Sequence, residues 1–271
     1  MNTLIIGAEG QLGRELLKVL PDAYGTAHSG KNSLDVTNAR EVSDYIEIHK
    51  PEIIINSSAF TNVDSCEVDK QSALQTNGYA VRNILKGAKR IGSYFVQIST
   101  DYVFDGNSGN YTEQSIPNPI NYYGLSKLVG DVFAQCYDLS LIVRTSGVFG
   151  NSNNFPRFAY NTLMKGCELN VIESFYSPIH AKLLAESIKH LIESKTLGLI
   201  NVAGERISRL ELASDIAELF KFDKTLIKEN SFNIKLNARR PRDSSLDISK
   251  AKSLIPIDFF TIENSLKLLS K

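Results

Sequence analysis

Cysteine, histidine and any imbalance of charge are scarce in this chain of 271 residues, and each shortage closes off a class of function. The three cysteines, Cys66, Cys136 and Cys167, are odd in number and show no metal-ligand spacing. They read as free thiols of a reducing compartment rather than as a catalytic or metal-binding set. Four scattered histidines form no zinc pattern, so no metal is expected. Thirty basic residues balance thirty acidic ones, which leaves no overall attraction to nucleic acid or to an anionic membrane. The basic cluster Arg239-Arg240-Pro241-Arg242 is too short for a nucleic-acid arm. No apolar run approaches the ~20 residues needed to span a bilayer. The opening Met1-Asn2-Thr3-Leu4-Ile5-Ile6 lacks a basic leader and reads as a first strand, not a signal peptide. A cytoplasmic protein is expected. Tryptophan is missing altogether.

What is present is an alternation. Short β-rich apolar runs at 4–6, 23–27, 53–56, 94–99 and 141–144 are separated by helix-period stretches at 11–20, 39–49, 79–91 and 123–137. That rhythm predicts an α/β fold, a Rossmann-type doubly wound parallel sheet with crossover helices. After about residue 150 it loosens: helices are predicted near 155–165, 183–193 and 210–220, strands near 169–172 and 200–203, and an irregular basic loop at 237–245. The expected organisation is a dinucleotide-binding domain over 1–150 and a smaller substrate-binding part over 151–271. Some segments of the second part are expected to return to the first.

The segment Gly7-Ala8-Glu9-Gly10-Gln11-Leu12-Gly13 leaves the first strand and opens the first helix. Glycines there permit a tight turn and close approach of backbone to a pyrophosphate resting on the helix N-terminus. Gly7, Gly10, Gln11, Leu12 and Gly13 are therefore assigned to the cofactor. Asp35-Val36 follows the second strand; the Asp fits either adenine's amino group, with Val36 covering the ring, or a local turn before the next helix. Around His28-Ser29-Gly30-Lys31 no carboxylate waits for a ribose hydroxyl, whereas Ser29 and Lys31 suit a 2′-phosphate. NADPH is the predicted cofactor, with NADH as the alternative. At the end of the third strand the small residues before and within Ser58-Ala59-Phe60 let backbone approach it as well.

The pair Tyr123 and Lys127 stands four residues apart on a predicted helix, on one face. A lysine ammonium beside a phenol favours the phenolate and lowers its pKa, which suits proton exchange with an alcohol or sugar oxygen. Thr100, at the end of the fourth strand, supplies a hydroxyl for the same oxygen. Each feature is common by itself; hydroxyl, phenol and lysine from successive elements together make a proton-transfer site beside a nicotinamide.

These residues resemble the extended short-chain dehydrogenase/reductases, and within them the dTDP-4-dehydrorhamnose reductase family. The resemblance runs from Gly7 to about Leu254. It is carried by Ser99-Thr100-Asp101-Tyr102-Val103-Phe104-Asp105-Gly106, by Tyr123-Gly124-Leu125-Ser126-Lys127-Leu128 with Gly130-Asp131, and by Arg144-Thr145-Ser146. Asn154-Phe155, Arg239-Arg240-Pro241 and Val63-Asp64 with Glu67 add to it. It implies that Thr100, Tyr123 and Lys127 are the catalytic set and that Asn77 supports the lysine through water. Thr100, Asp101, Tyr102 and Asn154 would face the substrate, a dTDP-sugar whose 4-keto group is reduced. Related sugar-nucleotide dehydratases carry Asp-Glu after the threonine; Asp101-Tyr102 here favours reduction over elimination. Arg240 suits either a diphosphate, as a bidentate donor, or a surface ion pair. Two positions depart from the family: Gly147 stands where a tryptophan is usual, and Tyr176-Ser177-Pro178-Ile179-His180 replaces a Gly/Ser-Pro-Thr block, with Tyr176 or Phe149 as candidates to fill the missing ring's place. The alternatives are a non-catalytic NADP-binding regulatory subunit, like the methionine adenosyltransferase β subunit, or a reductase or epimerase of another nucleotide sugar. Related enzymes are often dimers, so a homodimer is an expectation without an identified face.

Overall fold

The computed structural model describes residues 2–28, 33–152, 154–229 and 236–270; Ser29 and Lys31 lie outside them. Six parallel strands form the central sheet: β1 (Thr3–Ile6), β2 (Ala23–Thr26), β3 (Ile53–Asn56), β4 (Tyr94–Thr100), β5 (Ser140–Thr145) and, much later in the chain, β8 (Gly198–Asn201). Their order is β2-β1-β3-β4-β5-β8. The chain steps outward from β1 to β2 and then crosses back to β3, so β1 and β3 flank the switch point where open α/β sheets bind ligands. Strands such as Ile53-Ile54-Ile55 are buried throughout, as expected for a sheet covered on both faces.

Helices α1 (Gln11–Val19) and α8 (Ala181–Glu193) cover one face, and α2 (Ala39–His49), α5 (Ala80–Ile91) and α6 (Tyr122–Gln135) the other. Local chemistry sets their ends. The Asn38 side chain accepts from the backbone of Arg40 and Glu41 at the start of α2, and left-handed Lys50 ends it before Pro51. Asn121 caps α6 by accepting from Gly124 N at 2.8 Å.

Two short helices that the sequence pattern did not predict, α3 (Val63–Val68) and α4 (Lys70–Leu74), follow β3, each capped by its own side chain, Asn62 and Asp69. They run into a π-helical turn, Gln75–Tyr79, where a helix was expected to begin at 79. Beyond β5 a third apolar cluster gathers α7 (Phe155–Met164), α9 (Arg209–Phe220), α11 (Ile262–Leu266) and two small strand pairs, β6 (Leu169–Val171) with β10 (Ile227–Glu229) and β7 (Phe175–Tyr176) with β9 (Ile207–Ser208). The remaining helix, α10 (Ser249–Leu254), packs near β8. Segments 181–193 and 198–201 thus belong to the main sheet and its covering layer, though they follow residue 150. Among the described residues no helix is long and apolar enough to cross a membrane, and no group of three His, Cys, Asp or Glu side chains could hold a metal ion.

Candidate active site

A cleft of about 660 Å³ opens at the C-terminal ends of β1, β3, β4 and β5. One wall is the glycine turn, where Gly13 allows the closest approach: a Cβ there would lie 2.4 Å from the Gly7 carbonyl oxygen and 2.6 Å from Ala8 Cα. Gly10 is the N-cap of α1 and provides no side-chain cap. Among the described residues the first N–H groups of that helix, at the cleft end, have no side-chain cap, a fitting seat for an anionic pyrophosphate. Of the residues singled out in the sequence, Gly7, Gly10, Gln11, Leu12, Gly13, Val36, Ser58, Ala59, Thr100, Tyr123, Lys127 and Asn154 line the cleft.

Asp35, Phe60 and Asn77, also assigned to the cofactor, are not among the residues lining the cleft. Asp35 is exposed, and its carboxylate accepts from Thr37 N (2.9 Å) and Thr37 Oγ1 (2.7 Å). It is a turn residue, while its neighbours Leu34 and Val36 reach the cleft. Asn77 stands behind the wall: its Oδ1 accepts from Phe60 N (2.8 Å), and its Nδ2 donates to Phe60 O (3.1 Å) and Ser126 Oγ (2.9 Å). The π turn delivers this amide, and π turns of that kind commonly mark functional positions. Phe60 is thus held by its backbone rather than exposed to the cleft. Asn77 braces the loop after β3 against α6 and makes no direct bond to Lys127.

Thr100, Tyr123 and Lys127 do converge. Burial pushes the Tyr123 phenol above its ordinary range, and the Thr100 hydroxyl, within hydrogen-bonding reach, works against that rise. The expected lowering by Lys127 is not among the influences on the phenol, of which burial is the largest; the ammonium donates to the Ile98 carbonyl at 2.6 Å. Lys127 itself is pushed down to about 8 by burial, opposed by Asp131. The phenol therefore keeps its proton through neutral pH, the form a proton donor needs. Tyr102 packs edge-on against Tyr123 with ring centroids 5.9 Å apart.

A second hollow of about 190 Å³ adjoins the cleft, sharing Gly147, Val148 and Asn154 with it. Tyr102, Tyr176, Arg209 and Arg240 contribute to its lining. Asp101 also borders it, but both its oxygens are taken by protein hydroxyls: Thr100 Oγ1 on Oδ1 (3.1 Å), Ser146 Oγ (2.7 Å) and Ser244 Oγ (2.5 Å) on Oδ2. Instead of presenting a free carboxylate to substrate, Asp101 clamps the ends of β4 and β5 to the 237–245 loop. Arg240 donates from Nη2 to Asp64 Oδ2 at 2.7 Å and from Nη1 to Ala238 O. This is the ion-pair alternative, made at the rim of the hollow. The Val63-Asp64 and Glu67 block gains a physical account: Asp64 holds that loop, also accepting from Ala238 N (2.9 Å), and Glu67 accepts from Tyr122 N (2.7 Å) at the start of α6. Arg209 escaped sequence reasoning because it is an ordinary first residue of a helix; only the fold brings its guanidinium 5.0 Å from the Tyr176 ring.

Gln11 ties the two hollows together. Its Nε2 donates to Val148 O (3.1 Å), and its Oε1 accepts from Ser152 N (3.2 Å) and Asn154 Nδ2 (3.4 Å). Between them, Gly147 sits at φ +50° under the Tyr176 ring, and a Cβ there would lie 2.6 Å from two ring carbons. Tyr176 therefore occupies the space beside this glycine, whereas Phe149 is wholly buried and lines neither hollow. Gly147→Ala is expected to cost about 1–3 kcal/mol, part from the left-handed backbone and part from the ring. Urea unfolding of Gly147→Ala in wild-type and Tyr176→Ala backgrounds separates the parts: the second background relieves only the steric share. An equal cost in both would mean the ring yields freely.

The chain as a whole is similar to known proteins. The family described as RmlD substrate binding domain matches residues 1–270. The dTDP-4-dehydrorhamnose reductase of Aggregatibacter actinomycetemcomitans is 34% identical over 97% of this chain and 96% of its own. The chain belongs to the dTDP-4-dehydrorhamnose reductase family. Members of known structure share the whole fold. A hypothetical dTDP-4-dehydrorhamnose reductase from Sulfolobus tokodaii superposes with TM-score 0.93 at 46% identity, covering 99% of each chain. The Bacillus anthracis family member, crystallised in complex with NADP, gives TM-score 0.90 at 30% identity over 98% of this chain and 96% of its own.

Proposed function

We propose that this protein reduces the 4-keto group of dTDP-4-dehydro-β-L-rhamnose to give dTDP-L-rhamnose, using NADPH, in the supply of precursors for cell-surface polysaccharide. The observation that carries this reading is the convergence of Thr100, Tyr123 and Lys127 at the sheet edge beside an uncapped helix N-terminus, in a chain of this family. The glycine turn and α1 would hold the pyrophosphate, and Leu34 and Val36 the adenine side. When bound, the reduced nicotinamide supplies the hydride. Tyr123, protonated at neutral pH, gives its proton to the developing alkoxide of the sugar. Thr100, turning its one hydroxyl proton away from Asp101 Oδ1, donates a hydrogen bond to the same oxygen, and Lys127 holds its charge in the same cleft. Arg209 and Tyr176 are suited to the nucleotide diphosphate and sugar in the smaller hollow, with Arg240, paired to Asp64, at its rim. A purely regulatory cofactor-binding subunit would have no use for this trio of hydroxyl, phenol and ammonium.

The test is NADPH oxidation with freshly generated dTDP-4-dehydro-β-L-rhamnose. Turnover is expected; none, despite NADPH binding, would remove the reading. A preference for NADPH over NADH in kcat/KM is also expected. After β2 the cleft is lined by Thr26, Ala27 and His28, so among the described residues no carboxylate from that segment opposes a 2′-phosphate. Equal use of NADH would contradict this.

A further inference from the structure

One turn beyond Lys127 on α6 stands Asp131, with no exposed surface. Residues four apart on a helix share a face, and these two are fastened to consecutive residues of β4. Lys127 Nζ donates to Ile98 O at 2.6 Å, and Ser99 Oγ donates to Asp131 Oδ2 at 2.5 Å. The same Oδ2 lies 3.5 Å from Arg144 Nη2 of β5, a guanidinium that is itself buried and stacked 5.0 Å from the Phe104 ring centroid. Oδ1 of Asp131 is buried without a hydrogen-bond partner. A buried pair of this kind is a poor stabiliser: desolvating both charges consumes most of their attraction, and apolar residues of similar volume do as well or better. Nothing in the proton transfer itself uses Asp131 or Arg144.

We propose that Asp131 is a positioning residue that acts through Lys127: clamped by Ser99 and Arg144, its carboxylate is the buried counter-charge that holds the lysine ammonium in the site. This rests on the reductase reading for its consequence in catalysis, though not for its geometry. The surrounding charges are few. Tyr123 and Asp131 share α6 with Lys127. Arg144 comes from β5, with Glu113 and Asp101 acting on it in turn. Cys66 of α3, Asp101 and Tyr102 act on Tyr123. Of these, Asp131 is the group that opposes the burial-driven fall of the lysine pKa. Burial raises the Asp131 carboxyl, while Arg144, Ser99 and Lys127 all pull it back towards the ionised form.

The deciding experiment follows the Lys127 side chain by NMR through a pH titration of the cofactor-free protein with isotope-labelled lysine, the signal assigned by its loss in Lys127→Met. Asp131→Asn is expected to lower the Lys127 midpoint by about one pH unit or more and to move the alkaline limb of kcat by the same amount. Asp131→Glu, which keeps the charge, is expected to restore most of both. An unmoved midpoint in Asp131→Asn overturns the proposal and leaves the pair a structural one. Asp131→Asn strands Arg144 and could fail to fold, so Arg144→Gln and the double variant form a second arm. The midpoint must fall between that single and that double, and no fall there is equally fatal. The titration requires neither sugar nor cofactor, so its failure and the failure of the reductase reading are separate results.

Discussion

Tyr123→Phe is expected to lower kcat by ~10²–10⁴, the contribution typical of a positioned proton donor, and to leave NADPH affinity nearly unchanged. The substitution removes one oxygen from a half-buried side chain whose ring contacts, including the edge-on packing against Tyr102, remain available to phenylalanine. Burial holds the phenol protonated through neutral pH, so wild-type activity is not limited on the alkaline side by Tyr123 itself; the first group to lose its proton is Lys127, near 8. Single-turnover NADPH oxidation measures the chemical step, and a binding titration measures the cofactor. A variant retaining near-full turnover would remove Tyr123 from its role. A variant that lost NADPH binding instead would make the residue a cofactor ligand.

Lys127→Met is expected to cost at least about a hundredfold in kcat/KM while changing stability in a pH-dependent way. In the folded protein the ammonium is almost fully buried and titrates near 8, against 10.5 for an unperturbed lysine. Below about pH 8 both folded and unfolded states carry the proton, and the full desolvation cost of about 3 kcal/mol weighs on the fold. As pH rises from 8 towards 10.5 the folded state gives up the proton first, so the unfolded chain binds more protons and this cost fades. Methionine does not titrate. The stability of Lys127→Met relative to wild type should therefore fall by about 2 kcal/mol between neutral pH and about pH 9.5. The unpaired Ile98 carbonyl left by methionine adds a penalty of about 1–3 kcal/mol, the same at every pH. Chemical denaturation of both proteins at the two pH values reads the difference, and a gap that does not change with pH would mean the lysine is not desolvated as the fold implies.

Much of the framework was legible before any coordinates. The strand over 53–56 and the helix over 39–49 appear with the predicted bounds, because an all-isoleucine run and an Asn-capped, Pro-terminated helix carry their limits in local chemistry. The glycine segment, Thr100, Tyr123 and Lys127 were equally readable, since turn geometry and the one-turn spacing of a helix are short-range properties. The short helices over 63–68 and 70–74 were not, being too brief to show an apolar period.

For several polar groups, a partner distant in the chain supplies the contact that the local pattern did not reveal. The local pattern left Arg240 open between a diphosphate and an ion pair; Asp64, 176 residues away, supplies the second. Asp101 looked like a substrate ligand until Ser146 and Ser244 arrived from other segments to occupy it. The pKa of Tyr123 was expected to follow its helical neighbour, but burial raises it instead, because desolvation depends on everything packed around a group. By itself the sequence determined the sheet, the glycine turn and the three groups that meet at its edge. Only the tertiary structure decided which polar groups remain free to act, since a hydrogen bond across 100 residues leaves no periodic trace in the chain that makes it.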